Sequence, residues 1–327
     1  MKVKGTQVLS ALCVSLLAVL PLSSQAQTKL KFGYETPRSD SQHIAAQKFN
    51  ELLKAKTGGK LEAQLFPDSS LGNAQALING VRGGTIDIEM SGSNNFTGLV
   101  PVLNVLDVPF IFKDDAHVAR VLDGKTGDEL LATLEAQGMK GLAFWDNGWR
   151  NVTNSKHPVS TPADVKGLKI RTSASPMNIE AFRLLGANPI SMPVAELYTA
   201  LETKAVDAQE HPLGVLWSTK FYEVQKHLSL TRHAYSPLIV VMNKAKFDAL
   251  SPDLQKALVE SAREAAQYQR QLNAQNLSTI IDGVKKSGMQ VVENLDTKPF
   301  MEATKSVKDT FNKQYGDNYT KQIDAQR

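Results

Sequence analysis

Apolar and polar positions recur along this chain in a way that predicts a strand and helix order, stated once and then restarted. A mostly apolar run covers residues 8–20, preceded by Lys2 and Lys4 and followed by Pro21 and the small-residue stretch Ser24-Gln25-Ala26. That charged, apolar and cleavage-site order predicts an export signal over residues 1–26. The run is shorter than the roughly 20 apolar residues that a membrane-spanning helix requires. Beyond it, strand-like alternation over 29–35 leads to a helical face at Ile44, Phe49, Leu52 and Leu53 within residues 41–56, which Thr57-Gly58-Gly59 ends. A strand over 61–66, a helix over 73–81 and a strand over 86–90 complete a βαβαβ order. Such an order favours a mainly parallel sheet with helices on its faces.

The pattern pauses at a strand over 142–145, where Asp146-Asn147-Gly148 is expected to turn and close a first lobe. It then restarts with a strand over 169–172, a helix over 176–185, a short strand over 190–192, a helix over 195–203 and a strand over 206–209. These make a second α/β unit, followed by the apolar strand 238–242. Ser251-Pro252 is a helix start with proline at the first helical position, and no proline follows until well beyond Lys286. Leu254, Leu258, Ala262, Ala265, Leu272, Ile280 and Ile281 share one side of that helix. At about 1.5 Å per residue it reaches roughly 50 Å, enough to lie across two lobes. No low-complexity linker separates the two units, so several chain crossings are expected between them.

Composition narrows the chemistry. The one cysteine, Cys13, lies inside the signal and follows the bulky Leu12, which disfavours lipid attachment. The exported part then has no disulfide and no thiolate, and its hydrophobic core must hold it together. The formal net charge of +4 is spread without a basic block, so no nucleic-acid partner is expected. No second long apolar segment follows, so the chain is not expected to span a membrane and a membrane role would need a partner. Gly124-Lys125-Thr126 resembles the end of a phosphate-binding loop, but Ala119 stands where a glycine is required and a helix precedes it. No G-x-S-x-G elbow and no H-E-x-x-H pair occur, and the six histidines lack metal-ligand spacing. Neither a cofactor, a metal nor a catalytic residue is expected. A triad built from distant residues is recognised by geometry, so an exported lyase or hydrolase stays as the alternative.

Two arginines stand near strand ends. In the stretch 166–173, Leu168 and Ile170 alternate inward and leave Arg171 on the other face beside a serine-rich turn. Arg150 follows the aromatic and amide run Trp145-Asp146-Asn147-Gly148-Trp149. A guanidinium fork can take a carboxylate through two parallel hydrogen bonds, but an arginine is as readily an ordinary ion-paired residue. The cluster Asp207-Ala208-Gln209-Glu210-His211-Pro212 has two readings of equal weight. It is a helix entry with Pro212 in the first turn, or a donor and acceptor set on a cleft wall.

Five stretches carry a family resemblance: 105–124 (VLDVPFIFKDDAHVARVLDG), 143–154 (AFWDNGWRNVTN), 166–176 (KGLKIRTSASP), 185–212 (LGANPISMPVAELYTALETKAVDAQEHP) and 220–237 (KFYEVQKHLSLTRHAYSP). In them the chain resembles the solute-binding subunit of tripartite ATP-independent periplasmic (TRAP) transporters, the dicarboxylate-binding DctP type. The resemblance implies an α/β, two-lobe periplasmic binding protein of type II-like architecture, with several crossings and a long shared helix. It places residues 27–149 plus about 237–277 in lobe 1 and 150–236 plus about 278–327 in lobe 2. The family's carboxylate-binding arginine falls on Arg171 and a second ligand-facing arginine on Arg150. Where the family usually reads Gln-Glu-Asn-Pro, this chain has Gln209-Glu210-His211-Pro212, which puts an imidazole in place of an amide. Glu35 and Asn73 fall near cleft positions, and with Glu210, His211 and the Asn94-Asn95 loop they are expected to read the rest of the ligand. That polar set suits a sugar acid such as glucuronate or galacturonate, with a C4-dicarboxylate as the main competitor. The implied setting is the periplasm, and the implied partner is the TRAP permease in the membrane.

Overall fold

The computed structural model describes residues 1–2 and 27–327, so nearly all of the expected export signal lies outside the described residues. The strands are β1 (Thr28–Tyr34), β2 (Leu61–Phe66), β3 (Ile88–Gly92), β4 (Met139–Asn154), β5 (Lys169–Thr172), β6 (Asn188–Ser191), β7 (Ala208–Pro212), β8 (His227–Asn243) and β9 (Gln290–Val292). They join in one sheet in the order β2-β1-β3-β8-β4-β7-β5-β6, with β9 beside the start of β8. β1 pairs in parallel with β2 and β3, and β5 pairs in parallel with β6 and β7. The long antiparallel ribbon of β4 and β8 connects these two parallel sets. Two lobes thus share two continuous strands, and the cleft lies where the parallel strands end.

The Asp146-Asn147-Gly148 segment is not the expected turn. β4 runs straight through it, and the pairing with β8 shifts register between Asp146 and Gly148. Gly148 takes a φ of 107°, a left-handed value that glycine adopts without strain. The Asp146 carboxylate accepts from Tyr235 at 2.6 Å and from Asn273 at 2.8 Å, so the polar side chains serve a bulge inside the protein. A turn and a bulge draw on the same residue types, and only the partner strand separates them.

Helix Pro252–Lys286 has the expected start at Ser251 and Pro252. Its first half buries Leu258, Ala262, Ala265 and Ala266 against Phe32, Phe49 and Trp145, and Trp145 donates its indole N–H to the Ala262 carbonyl at 2.8 Å. At the far end Val284 packs with Leu197, Leu201, Leu216 and Leu228. Leu272 is only half-buried and Leu277 is 41% exposed, so the middle turns bridge two cores and belong to neither.

The C-terminal segment, expected wholly in lobe 2, divides in its packing. Phe300 joins the cluster of Val165, Ile170 and Phe182, whereas Val307, Phe311 and Ile323 pack with Leu103, Leu106 and Leu130. The His117 ring fixes the second group through a 2.8 Å contact with the Ile323 carbonyl.

Pro212 does enter a helix, as one of the two readings expected, but as its N-cap and from the end of a strand. It closes β7 opposite Arg150, and the short helix Leu213–Ser218 begins after it. A proline is tolerated there because it ends the strand. Glu210 therefore lies inside a strand, opposite Val152, and not in the first turn of a helix.

Candidate functional site

A cavity of about 310 Å³ opens between the lobes. One wall comes from Glu35 and Thr36 after β1, from Asn73, Ala74 and Gln75 at the start of helix Ala74–Arg82, and from the Ser91–Asn95 segment. The other comes from Arg150, from Arg171 and Ser173 at the end of β5, from Ser191 to Val194, and from His211. Seven of the eight expected residues line it: Arg171, Arg150, His211, Glu35, Asn73, Asn94 and Asn95.

Arg171 is the chemical centre. It is 5% exposed, and among the described residues no carboxylate forms an ion pair with it. Its Nε and Nη2 donate to the Met192 carbonyl at 3.0 and 2.7 Å, and its Nη1 donates to His211 Nε2 at 3.2 Å. These neutral acceptors aim the fork without cancelling its charge. Burial lowers the guanidinium pKa from 12.5 to about 10, which still leaves it a cation at neutral pH. A buried cation without a counter-ion is costly, and a ligand carboxylate relieves that cost.

Arg150 is arranged differently. Its Nε and Nη2 clamp the two Glu210 carboxylate oxygens, Nη2 also donates to the Glu210 carbonyl at 2.6 Å, and Nη1 donates to Ser236 Oγ at 3.2 Å. Its charge is therefore matched inside the protein. Glu210, expected among the ligand-reading residues, does not reach the cavity, because it is fully buried behind Arg150. It also accepts from Asn178 Nδ2 at 2.8 Å and lies 3.3 Å from His233 Nε2. Burial pushes its carboxyl up, but Arg150 and His233 together outweigh that and hold it well below the usual carboxylate range.

His211 lines the cavity, yet both ring nitrogens already have protein partners. Nε2 accepts from Arg171, which makes Nδ1 the protonated nitrogen donating to Gln209 Oε1. Burial, with Arg150 and Arg171 nearby, holds its pKa well below 6.5, so the ring is neutral and orients Arg171. The imidazole expected to read a ligand hydroxyl thus has both ring nitrogens engaged, by Arg171 and by Gln209.

Asn73 caps helix Ala74–Arg82 by accepting from the Ala76 N–H at 3.0 Å, which leaves its amide N–H₂ for the cavity. Glu35 is half-buried, and burial raises its carboxyl despite the Ala74 N–H and Arg171. Residues that sequence reasoning missed include Ser91, Gln42, Asn147 and Ser173. A signal for Ser91 was present. Glu89 and Ser91 are polar at alternate positions of a strand buried on both faces, where apolar residues are the rule.

A second cavity of about 390 Å³ lies under the middle of the long helix. It is the larger space, but its walls are mostly apolar and its Arg270 is ion-paired with Asp123. A buried cation without an ion pair, Arg171, makes the interlobe cavity the candidate site.

Fold and site together define a two-lobed α/β protein with a cationic cleft between its lobes. A family model described as bacterial extracellular solute-binding protein, family 7 (DctP), matches residues 32–314, and the chain belongs to that family. It is 63% identical over 302 residues, 92% of each chain, to the 2,3-diketo-L-gulonate-binding periplasmic protein YiaO of Escherichia coli (strain K12). It is also similar to a TRAP periplasmic solute binding protein from Polaromonas sp. JS666 bound to D-erythronate. That match has a TM-score of 0.89 and 36% identity, covering 91% of this chain and 99% of the other. One from Roseobacter denitrificans with bound β-D-glucuronate has a TM-score of 0.87 and 34% identity, covering 91% and 99%. This chain is a TRAP-type solute-binding receptor for small organic acids, not an enzyme.

Replacing Asn73 with aspartate keeps the helix cap and adds a negative charge to the cleft. Thermal stability is expected to be unchanged or slightly raised, while affinity for an anionic ligand falls about tenfold. Differential scanning fluorimetry with and without ligand checks both.

Proposed function

We propose that this chain is the receptor for 2,3-diketo-L-gulonate, or for an open-chain keto sugar acid of the same size. The observation that carries this reading is the 63% identity over 92% of both chains to the E. coli protein named for that ligand. The single unmatched cation agrees with it. Arg171 takes one carboxylate, while Arg150 is already neutralised by Glu210, so the cleft favours a monocarboxylate over a C4-dicarboxylate. Asn73, Asn94, Asn95, Asn147 and Gln42 supply amides for the oxygens along the rest of the chain. The ring uronates expected from sequence become the second choice, because the glucuronate-bound relative is only 34% identical.

The receptor works in the periplasm and hands its acid to a TRAP permease in the membrane. One lobe comprises residues 27–149, 237–277 and the terminal helices from about 305, and the other comprises 150–236 and 278–304. The ligand touches both only when they close, so binding shifts the population towards the closed form.

Calorimetric titration of the purified protein without residues 1–26 tests the ligand. The expected order puts 2,3-diketo-L-gulonate first, with glucuronate, galacturonate and succinate at least about tenfold weaker. Tighter binding of a uronate or of succinate overturns the assignment.

A further inference from the structure

Below the cleft floor lies a carboxyl that the binding scheme leaves unused. Glu89, in β3, is fully buried. It stands in register with Gly33 on one side and Val241 on the other, and Leu77 packs over Gly33 on the same face. Among the described residues no basic side chain pairs with it, and its Oε2 has no hydrogen-bond partner. Its one polar contact is between Oε1 and Ser91 Oγ, at 3.4 Å. Among the described residues the charged group that acts on it is Glu35, itself a carboxyl, and Glu35 in turn feels the Arg171 charge. Ser91 lies two residues along the same face and lines the cleft.

An ionised carboxylate in that setting has no compensation, whereas a carboxylic acid needs only one acceptor. Burial, with Glu35 adding to it, raises the Glu89 pKa well above 4.5 despite the Ser91 contact, in agreement with the geometry. The protonation state then sets which way Ser91 points. An ionised Glu89 would take the Ser91 hydrogen and leave only lone pairs facing the ligand, which suits a hydroxyl and repels a ketone oxygen. A protonated Glu89 donates to Ser91 Oγ, and the Ser91 hydrogen then turns into the cleft.

We propose that Glu89 holds its proton and donates it to Ser91, so that the Ser91 hydroxyl is a fixed donor that selects a ligand carbonyl oxygen. This rests on the keto-acid reading above and assigns its specificity to two residues. A ketone oxygen only accepts, so it depends on Ser91. A hydroxyl in its place can rotate and find another partner.

Two measurements test the pair. Infrared difference spectra of the ligand-free protein, wild type minus Glu89→Gln, are expected to show a protonated-carboxyl band at neutral pH. Calorimetry with 2,3-diketo-L-gulonate and with L-gulonate, its counterpart with both ketones reduced, reads the selectivity. Ser91→Ala is expected to lower the diketo-to-gulonate affinity ratio about tenfold. Glu89→Gln, a neutral side chain that still donates, keeps the ratio within about threefold. Absence of the band, or a ratio indifferent to Ser91, overturns the assignment while the ligand reading stands. Wild type that binds neither acid overturns the ligand reading and this assignment with it.

Discussion

Replacing Arg171 with alanine is expected to weaken binding of the acid by at least about 100-fold, because truncating one partner of a buried hydrogen-bonded charge pair costs roughly 2–5 kcal/mol. The same change has the opposite sign for the empty protein. Arg171 is buried without a counter-ion, held only by the Met192 carbonyl and His211, so the ligand-free form carries a desolvated charge. Arg171→Met, which keeps the bulk and removes that charge, is expected to leave the ligand-free melting temperature equal or higher. The rise in melting temperature on adding ligand is expected to vanish. Arg171→Lys retains the charge but not the fork, and falls between the two. Calorimetry together with ligand-free and ligand-bound thermal melts separates these outcomes. A variant that melts lower when empty and binds normally would remove Arg171 from the site.

Glu210→Ala is expected to act on stability first. It leaves Arg150 buried and unpaired and also strips Asn178 and His233 of an acceptor. Breaking a buried pair in this way costs about 3–5 kcal/mol, which for a chain of this size lowers the melting temperature by on the order of 10 °C. Replacing both partners with methionine is expected to be less harmful than removing Glu210 alone, since no orphaned charge remains. The pH dependence has a definite sign. The folded-state pKa of Glu210 is held well below its ordinary 4.5, so its stabilisation is present above pH 4.5 and is lost as the pH falls towards the folded value. Acid unfolding of the wild type should therefore be steeper than that of the paired-methionine protein. Urea unfolding at neutral and acidic pH measures both effects.

The elements visible in the sequence were those with local periodicity. Helix Ser41–Lys56, β2, helix Ala74–Arg82, β5 and the long helix from Pro252 fall close to their expected bounds, because an amphipathic face, a cap and a breaker are properties of a few neighbouring residues. The full lengths of β4 and β8 were not visible. The second half of β4 buries Asn151 and Thr153 and the first half of β8 buries Ser229, Thr231 and His233, and buried polar residues in a strand read as loop until their partners are known. The divided packing of the C-terminal segment was hidden for a related reason, since its helices choose between lobes by contacts with residues about 200 positions away, as His117 and Ile323 show.

Family motifs in the sequence pointed to both arginines, and by itself it determined the α/β class, the restarted order and the long shared helix. Only the tertiary structure decided which arginine is left without an ion pair. Glu210 reaches Arg150 from the neighbouring strand, 60 residues away, through the β4–β7 register, and that pairing leaves Arg171 as the unmatched charge. The physical reason is that a side chain's charge is local, but whether it is compensated depends on the desolvated neighbours that folding brings to it.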